Sequence, residues 1–181
     1  KKEFETNIPK HSVQMSARKL RYEWFYEIIE LNKLDYIVTA HHIDDSLETF
    51  LINTLRSTGI DGLTGISSFN NKIIRPLLIF SKSDIVNYSK LNNINWREDS
   101  SNKKNDYLRN KLRNQVIPLF KEINTSYIEN FSKTVSHLKE DSLLIHELIS
   151  IFKQDYFKHT KDCISINKSI VSNLSDTMIF K

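Results

Sequence analysis

The sequence predicts an α/β protein: a partial parallel sheet followed by a mainly helical segment. Three observations lead there. A short apolar run, residues 36–40 (YIVTA), lies between two stretches whose apolar residues recur at helical spacing. A polar burst, His41-His42-Ile43-Asp44-Asp45, follows that run directly. Helix, strand, polar loop, helix is the order from which parallel sheets are built.

The elements follow in chain order. Residues 16–31 carry Leu20, Trp24, Phe25, Ile28 and Leu31 at three- and four-residue steps, the apolar face of a helix that Asn32-Lys33 ends. Residues 36–40 are β-rich and nearly all apolar, which suits a strand buried on both faces. Leu47, Phe50, Leu51 and Leu55 mark a second amphipathic helix. Residues 59–65 read as a loop, and Ile73-Ile74-Arg75-Pro76 as a short strand that Pro76 ends or places at an edge. Ser81, with Asp84 three residues on, is an N-cap opening a helix through about Leu91. Residues 107–116 look helical, with Pro118 interrupting them, and 125–157 form a long helical pattern. Ile164-Ser165-Ile166 alternates like an exposed-edge strand. A domain boundary is placed near residues 120–124, dividing the chain into 1–122 and 123–181.

The chain has 181 residues, 39% hydrophobic and 27% charged, an ordinary globular composition that excludes disordered, collagenous and coiled-coil classes. No apolar run approaches the roughly 20 residues of a bilayer-spanning helix. Residues 1–10 are polar and lack the apolar core of a signal peptide. A single cysteine, Cys163, can form neither an internal disulfide nor a four-thiolate metal site; it reads as a small buried hydrophobe in a cytoplasmic protein. The chain opens without methionine, and its only glycines are Gly59, Gly62 and Gly65, against about a dozen at typical usage. It is therefore expected to be part of something longer.

The net charge is +4, and it is uneven. Residues 97–121 hold seven basic groups (Arg97, Lys103, Lys104, Arg109, Lys111, Arg113 and Lys121) against three acidic ones. Such a stripe suits a polyanion, nucleic acid or nucleotide phosphate; a solvated helix face is the competing reading.

The densest chemical signal is His41-His42-x-Asp44-Asp45-x-x-Glu48, where a strand ends and a helix begins. That carboxyl edge is where open α/β sheets bind ligands. With a helix starting near Ile43, Asp45 and Glu48 share a face. Three uses are open: a divalent metal site, a clamp for a cation such as an ammonium group, or acids that complement a helix dipole. Arg18 and Arg21 share a helix face, as do Arg109 and Arg113, and either pair suits phosphate or a structural salt bridge. Trp24 and Trp96 read as core, while His11, His137, His146 and His159 are assigned nothing.

Together the motifs resemble one family. They are Ala17-Arg18-x-x-Arg21-Tyr22, Ala40-His41-His42-x-Asp44-Asp45-x-x-Glu48-Thr49, Gly59-x-Asp61-Gly62-Leu63, Arg75-Pro76-Leu77, Trp96-x-x-Asp99-x-Ser101-Asn102 and Tyr107-x-Arg109-Asn110-x-Leu112-Arg113. This order resembles the tRNA(Ile)-lysidine synthetases of the N-type ATP pyrophosphatase (PP-loop) superfamily, whose catalytic domain is a Rossmann-like nucleotide-binding fold. The likeness covers about residues 14–150.

The resemblance implies an enzyme that uses ATP to adenylate the C2 carbonyl oxygen of the wobble cytidine in a CAU-anticodon tRNA(Ile). The ε-amine of free L-lysine then displaces AMP and leaves lysidine. It implies Arg21, His41 and Asp45 in the lysine and adenylate pocket, Glu48 beside Asp45 on lysine, and Arg109 on the reacting phosphate. Arg97, Lys103, Lys104, Lys111 and Arg113 would meet tRNA. Mg²⁺ would accompany ATP, held mostly by phosphate oxygens and carboxylates, with no residue singled out as its ligand. The family's Ser-Gly-Gly-x-Asp-Ser phosphate loop does not occur in this sequence. The chain alone is therefore expected to have an incomplete ATP site and to release no pyrophosphate. Residues 1–122 would be the later part of the catalytic domain, and 123–181 a helical linker beginning a substrate-binding domain. Oligomeric state is open, a homodimer included. Three alternatives stand beside this: a non-catalytic tRNA-binding module; a PP-loop tRNA thiolation enzyme, against which the single cysteine argues; and a metal-dependent phosphoesterase on the His-His-x-Asp-Asp segment, which would need further His/Asp clusters that the sequence does not offer.

Overall fold

The computed structural model describes residues 10–97, 108–159 and 163–172, with the side chains of all but 10–15, 159 and 168 among them. It is a mixed α/β structure with a small sheet and a helical C-terminal segment. Two compact units are present, one drawn from Lys1–Leu47 and Ile66–Asn102, the other from Glu48–Gly65 and Lys103–Lys181.

In the first unit, helix α1 (Lys10–Asn32) begins six residues before the apolar periodicity does. Lys33 stops it by turning left-handed, with φ 51°. Strand β1 (Ile37–Val38) precedes helix α2 (Ile43–Thr54), which contributes residues to each unit. Strands β2 (Phe69–Asn70) and β3 (Ile73–Ile74) complete a sheet of order β1-β3-β2. β1 and β3 run parallel, Ile37 opposite Ile73 and Val38 opposite Ile74. β2 and β3 form an antiparallel hairpin whose turn places Asn71 at φ 53°, a conformation asparagine tolerates. Ile29, Leu47 and Ile73 are the buried apolar side chains here.

β1 departs from expectation: Val38 is 65% exposed, so the strand is not buried on both faces. Among the described residues its ladder runs on one edge only, to β3, and the far side of the pleat is uncovered. Pro76 ends β3 as expected and opens a 3-10 turn over Pro76–Ile79. Helix α4 (Lys82–Leu91) has the full capping box, the Ser81 hydroxyl accepting from the Asp84 N–H and the Asp84 carboxylate from the Ser81 N–H. Trp24 is half-buried and stacks on Phe25, whereas Trp96 is 47% exposed and so is not core.

In the second unit, residues 59–65 are not simply loop: Ile60–Leu63 forms a one-turn helix, α3. Gly62 lets the Thr58 side chain lie close: a Cβ there would fall 1.8 Å from the Thr58 hydroxyl oxygen and force that side chain to move. Helix α5 (Leu108–Lys111), a π turn (Leu112–Val116) and helix α6 (Ile117–Ile123) follow without a break. Pro118 thus does not interrupt the helix. It has no N–H to offer and its ring crowds the preceding turn, so the chain widens locally and the Ile117 N–H bonds to the Leu112 carbonyl. Helix α7 (Tyr127–Tyr156) runs close to the expected span. Phe50 packs edge-to-face on Phe131 at 5.4 Å, and Leu112, Ile117, Phe131 and Val135 are buried. Strands β4 (Phe157–His159) and β5 (Ile164–Ile166) pair antiparallel before a short helix α8 (Lys168–Val171). Cys163 lies exposed in the turn before β5 rather than buried. No described helix is long and apolar enough to cross a membrane.

Candidate functional site

The functional residues fall in two clusters, one in each unit. The first forms where β1 ends and α2 begins. The Ile43 N–H bonds to the Phe80 carbonyl at 3.0 Å, fixing the first turn of α2 against the chain that leaves β3. Asp44 and Asp45 occupy that turn, where acids complement the helix dipole. The His41 Nδ1 lies 2.9 Å from the Thr39 hydroxyl, holding that ring to the strand end.

His42, to which the sequence pattern gives no role beside His41, sits among the acids. Its Nδ1 is 3.3 Å from Asp44 Oδ2 and its Nε2 is 3.5 Å from Asp45 Oδ2. Its backbone N–H also donates to Asp45 Oδ2 at 3.1 Å. The only sequence signal for this is adjacency to the acids. Asp44 further accepts the Lys82 N–H at 2.7 Å, tying α2 to the start of α4. Burial alone would raise the Asp44 pKa. The close His42 ring and the hydrogen bond from the Lys82 N–H outweigh it and hold the carboxyl below its ordinary 3.8. The arrangement is a half-buried anionic patch at a helix start. Arg21 is exposed on α1 in the same unit.

The second cluster centres on Glu48, whose side chain is 0% exposed. Arg113 grips it as a fork, Nε to Oε1 at 2.5 Å and Nη2 to Oε2 at 3.0 Å. Arg109 brings its Nε to 3.1 Å from Oε2 and donates from Nη2 to the Thr49 hydroxyl at 2.8 Å. A buried carboxylate needs such partners, and two guanidiniums supply them. Glu48 is thus already engaged by arginines, a different use from the lysine contact that the resemblance implies.

Of the basic residues expected at tRNA, Arg97 and Lys111 are exposed and Arg113 is half-buried in its pair with Glu48. Lys103 and Lys104 lie outside the described residues. Asp61, part of the Gly59-x-Asp61-Gly62-Leu63 motif but given no role by the sequence, accepts from the buried Ser142 hydroxyl at 2.7 Å and lies 3.1 Å from His146 Nε2, fastening α3 to α7. Among the described residues no three His, Cys, Asp or Glu side chains cluster to hold a metal ion.

A parallel strand leading into an acid-bearing helix is an arrangement of nucleotide-using α/β domains, and residues 2–120 match the PP-loop domain family, to which the chain belongs. It is similar to the tRNA(Ile)-lysidine synthases of several bacteria. That of Bacteroides thetaiotaomicron is 41% identical over 138 residues, 76% of this chain and 32% of the relative. That of Petrotoga mobilis is 45% identical over 122 residues, 67% of this chain and 39% of the relative. That of Francisella tularensis is 32% identical over 176 residues, 92% of this chain and 44% of the relative. The chain therefore spans less than half the length of these relatives.

Proposed function

We propose that the protein is a tRNA-modifying ligase that uses ATP to join free L-lysine to C2 of the wobble cytidine of CAU-anticodon tRNA(Ile). The cytidine C2 carbonyl oxygen attacks the α-phosphorus of ATP and pyrophosphate leaves. The lysine ε-amine then attacks C2, AMP departs with the oxygen, and the nitrogen gives up a proton. One observation carries the proposal: a PP-loop chain similar to lysidine synthases has a carboxylate pair at the strand-to-helix edge where open α/β sheets bind ligands.

Asp45 is the carboxylate assigned to the lysine ammonium, and His41 and Arg21 belong to the same lysine and adenylate pocket. Arg109 is assigned to the reacting phosphate, where a guanidinium stabilises charge that develops in the transition state. The burial of Glu48 under two guanidiniums supports a holding role toward Arg109 and Arg113 in place of direct contact with lysine. Arg97 and Lys111, with Lys103 and Lys104, are assigned to the tRNA backbone. In this scheme residues 1–122 belong to the ATP-using domain and 123–181 begin the part that meets the tRNA. Mg²⁺ would neutralise phosphate charge on ATP. The described residues offer no cluster for it, so no step is assigned to a protein-held metal.

The test is pyrophosphate release from ATP by the full-length protein with a CAU-anticodon tRNA(Ile) transcript, in the absence of lysine. tRNA-dependent release supports adenylation of the nucleoside. Absence of release with salt-dependent tRNA binding retained favours a binding module. Release that leads to sulfur rather than lysine in the tRNA favours a thiolation enzyme.

A further inference from the structure

The two arginines on Glu48 are not held alike. Arg113 takes both carboxylate oxygens in a fork and is fixed by Glu48 itself. Arg109 has its Nε close to Oε2, at 3.1 Å, but this buried nitrogen is misaligned for a hydrogen bond. Glu48 therefore attracts Arg109 without setting the direction of its guanidinium. The directional contact is the 2.8 Å bond from Arg109 Nη2 to the Thr49 hydroxyl. Threonine suits that role because its branched β-carbon leaves the hydroxyl only about two χ1 positions in a helix, one of which meets Arg109. The Arg109 side chain is 37% exposed, so it is not sealed from an approaching anion.

We propose that Thr49 is the positioning residue for Arg109, a role that rests on the assignment of Arg109 to the reacting phosphate. One carboxylate balances one of two guanidinium charges, and the surplus is presented by the arginine that Thr49 aims. A guanidinium aimed beforehand loses less freedom on meeting phosphate, and a small misdirection of such a group lowers the rate steeply.

The test compares Thr49→Val, Thr49→Ser and Arg109→Lys in the full-length protein, reading kcat and KM for lysine addition together with thermal stability. Thr49→Val is expected to lower kcat about 10-fold or more, with both KM values and the melting temperature little changed. Thr49→Ser regains most of the rate, and Thr49→Val adds nothing to Arg109→Lys. Thr49→Ala replaces the valine variant should that one fail to fold. Full kcat in Thr49→Val beside a loss in Arg109→Lys overturns the positioning role and leaves the phosphate assignment standing. Additive losses, or no recovery with serine, overturn it equally. Full kcat in Arg109→Lys overturns the assignment and the positioning role together.

Discussion

Glu48 shows what a single buried charge demands. Leaving water costs a carboxylate several kcal/mol, which only close, well-placed cations offset. Arg113 and Arg109 do so at 2.5–3.1 Å. Glu48→Gln keeps the shape and removes the charge, leaving two guanidiniums facing a neutral amide. Urea denaturation is expected to show a loss of about 3–5 kcal/mol; a loss under about 1 kcal/mol would mean the pair is loosely held. Asp44 gives a pH signature. Its folded pKa lies below the ordinary 3.8, so its contribution is full above that pH and fades as pH falls through the depressed value. Asp44→Asn should therefore be less stable than wild type at pH 7, and the gap should close below pH 3.8; a gap that persists in acid contradicts the assignment. That Asp45 and Glu48 lie on one helix was readable from the helical spacing of Leu47, Phe50 and Leu51. The partners were not. Neither His42 between two acids nor Thr49 beneath Arg109 follows from local pattern, since each depends on backbone turns and side-chain directions that spacing does not specify.

At the scale of elements, α4 was legible because its signal is local: Ser81 and Asp84 close a capping box on their own helix. Ser81→Ala should lower stability by about 1 kcal/mol in chemical denaturation, while Ser81→Thr, which keeps a hydroxyl between the Asp84 N–H and carboxylate, should lose less. Strand β2 was illegible for the opposite reason. Ser67-Ser68-Phe69-Asn70-Asn71 has little β propensity, and its strand exists because β3 offers a ladder partner. The rule that proline ends helices fails at Pro118. A π turn absorbs the missing donor, and the helical run carries on to Ile123. β1 lies where its apolar run predicts, but its burial depends on neighbours that such a run cannot specify.

Across the whole molecule the net charge is +4, and the segment 97–121 carries seven basic groups against three acidic ones. If that stripe meets tRNA phosphates, affinity should fall linearly on a log–log plot against salt. Lys111 is exposed, and Lys111→Ala should reduce the slope by about 0.7–0.9 for each phosphate that the lysine neutralises. An unchanged slope would place Lys111 on a solvated face instead. The central claim is that Asp45 receives the ammonium of lysine in an ATP-dependent ligation. The most direct measurement is incorporation of labelled lysine into a CAU-anticodon tRNA(Ile) transcript by the full-length protein and its Asp45→Ala variant, with and without ATP. Loss of one charged hydrogen bond is worth about 1.5–3 kcal/mol, so the variant should need roughly 10- to 100-fold more lysine for the same rate. Incorporation that needs ATP and fails in Asp45→Ala at low lysine is the predicted result. Incorporation at the wild-type rate by Asp45→Ala, or none by the wild type while tRNA stays bound, would contradict it.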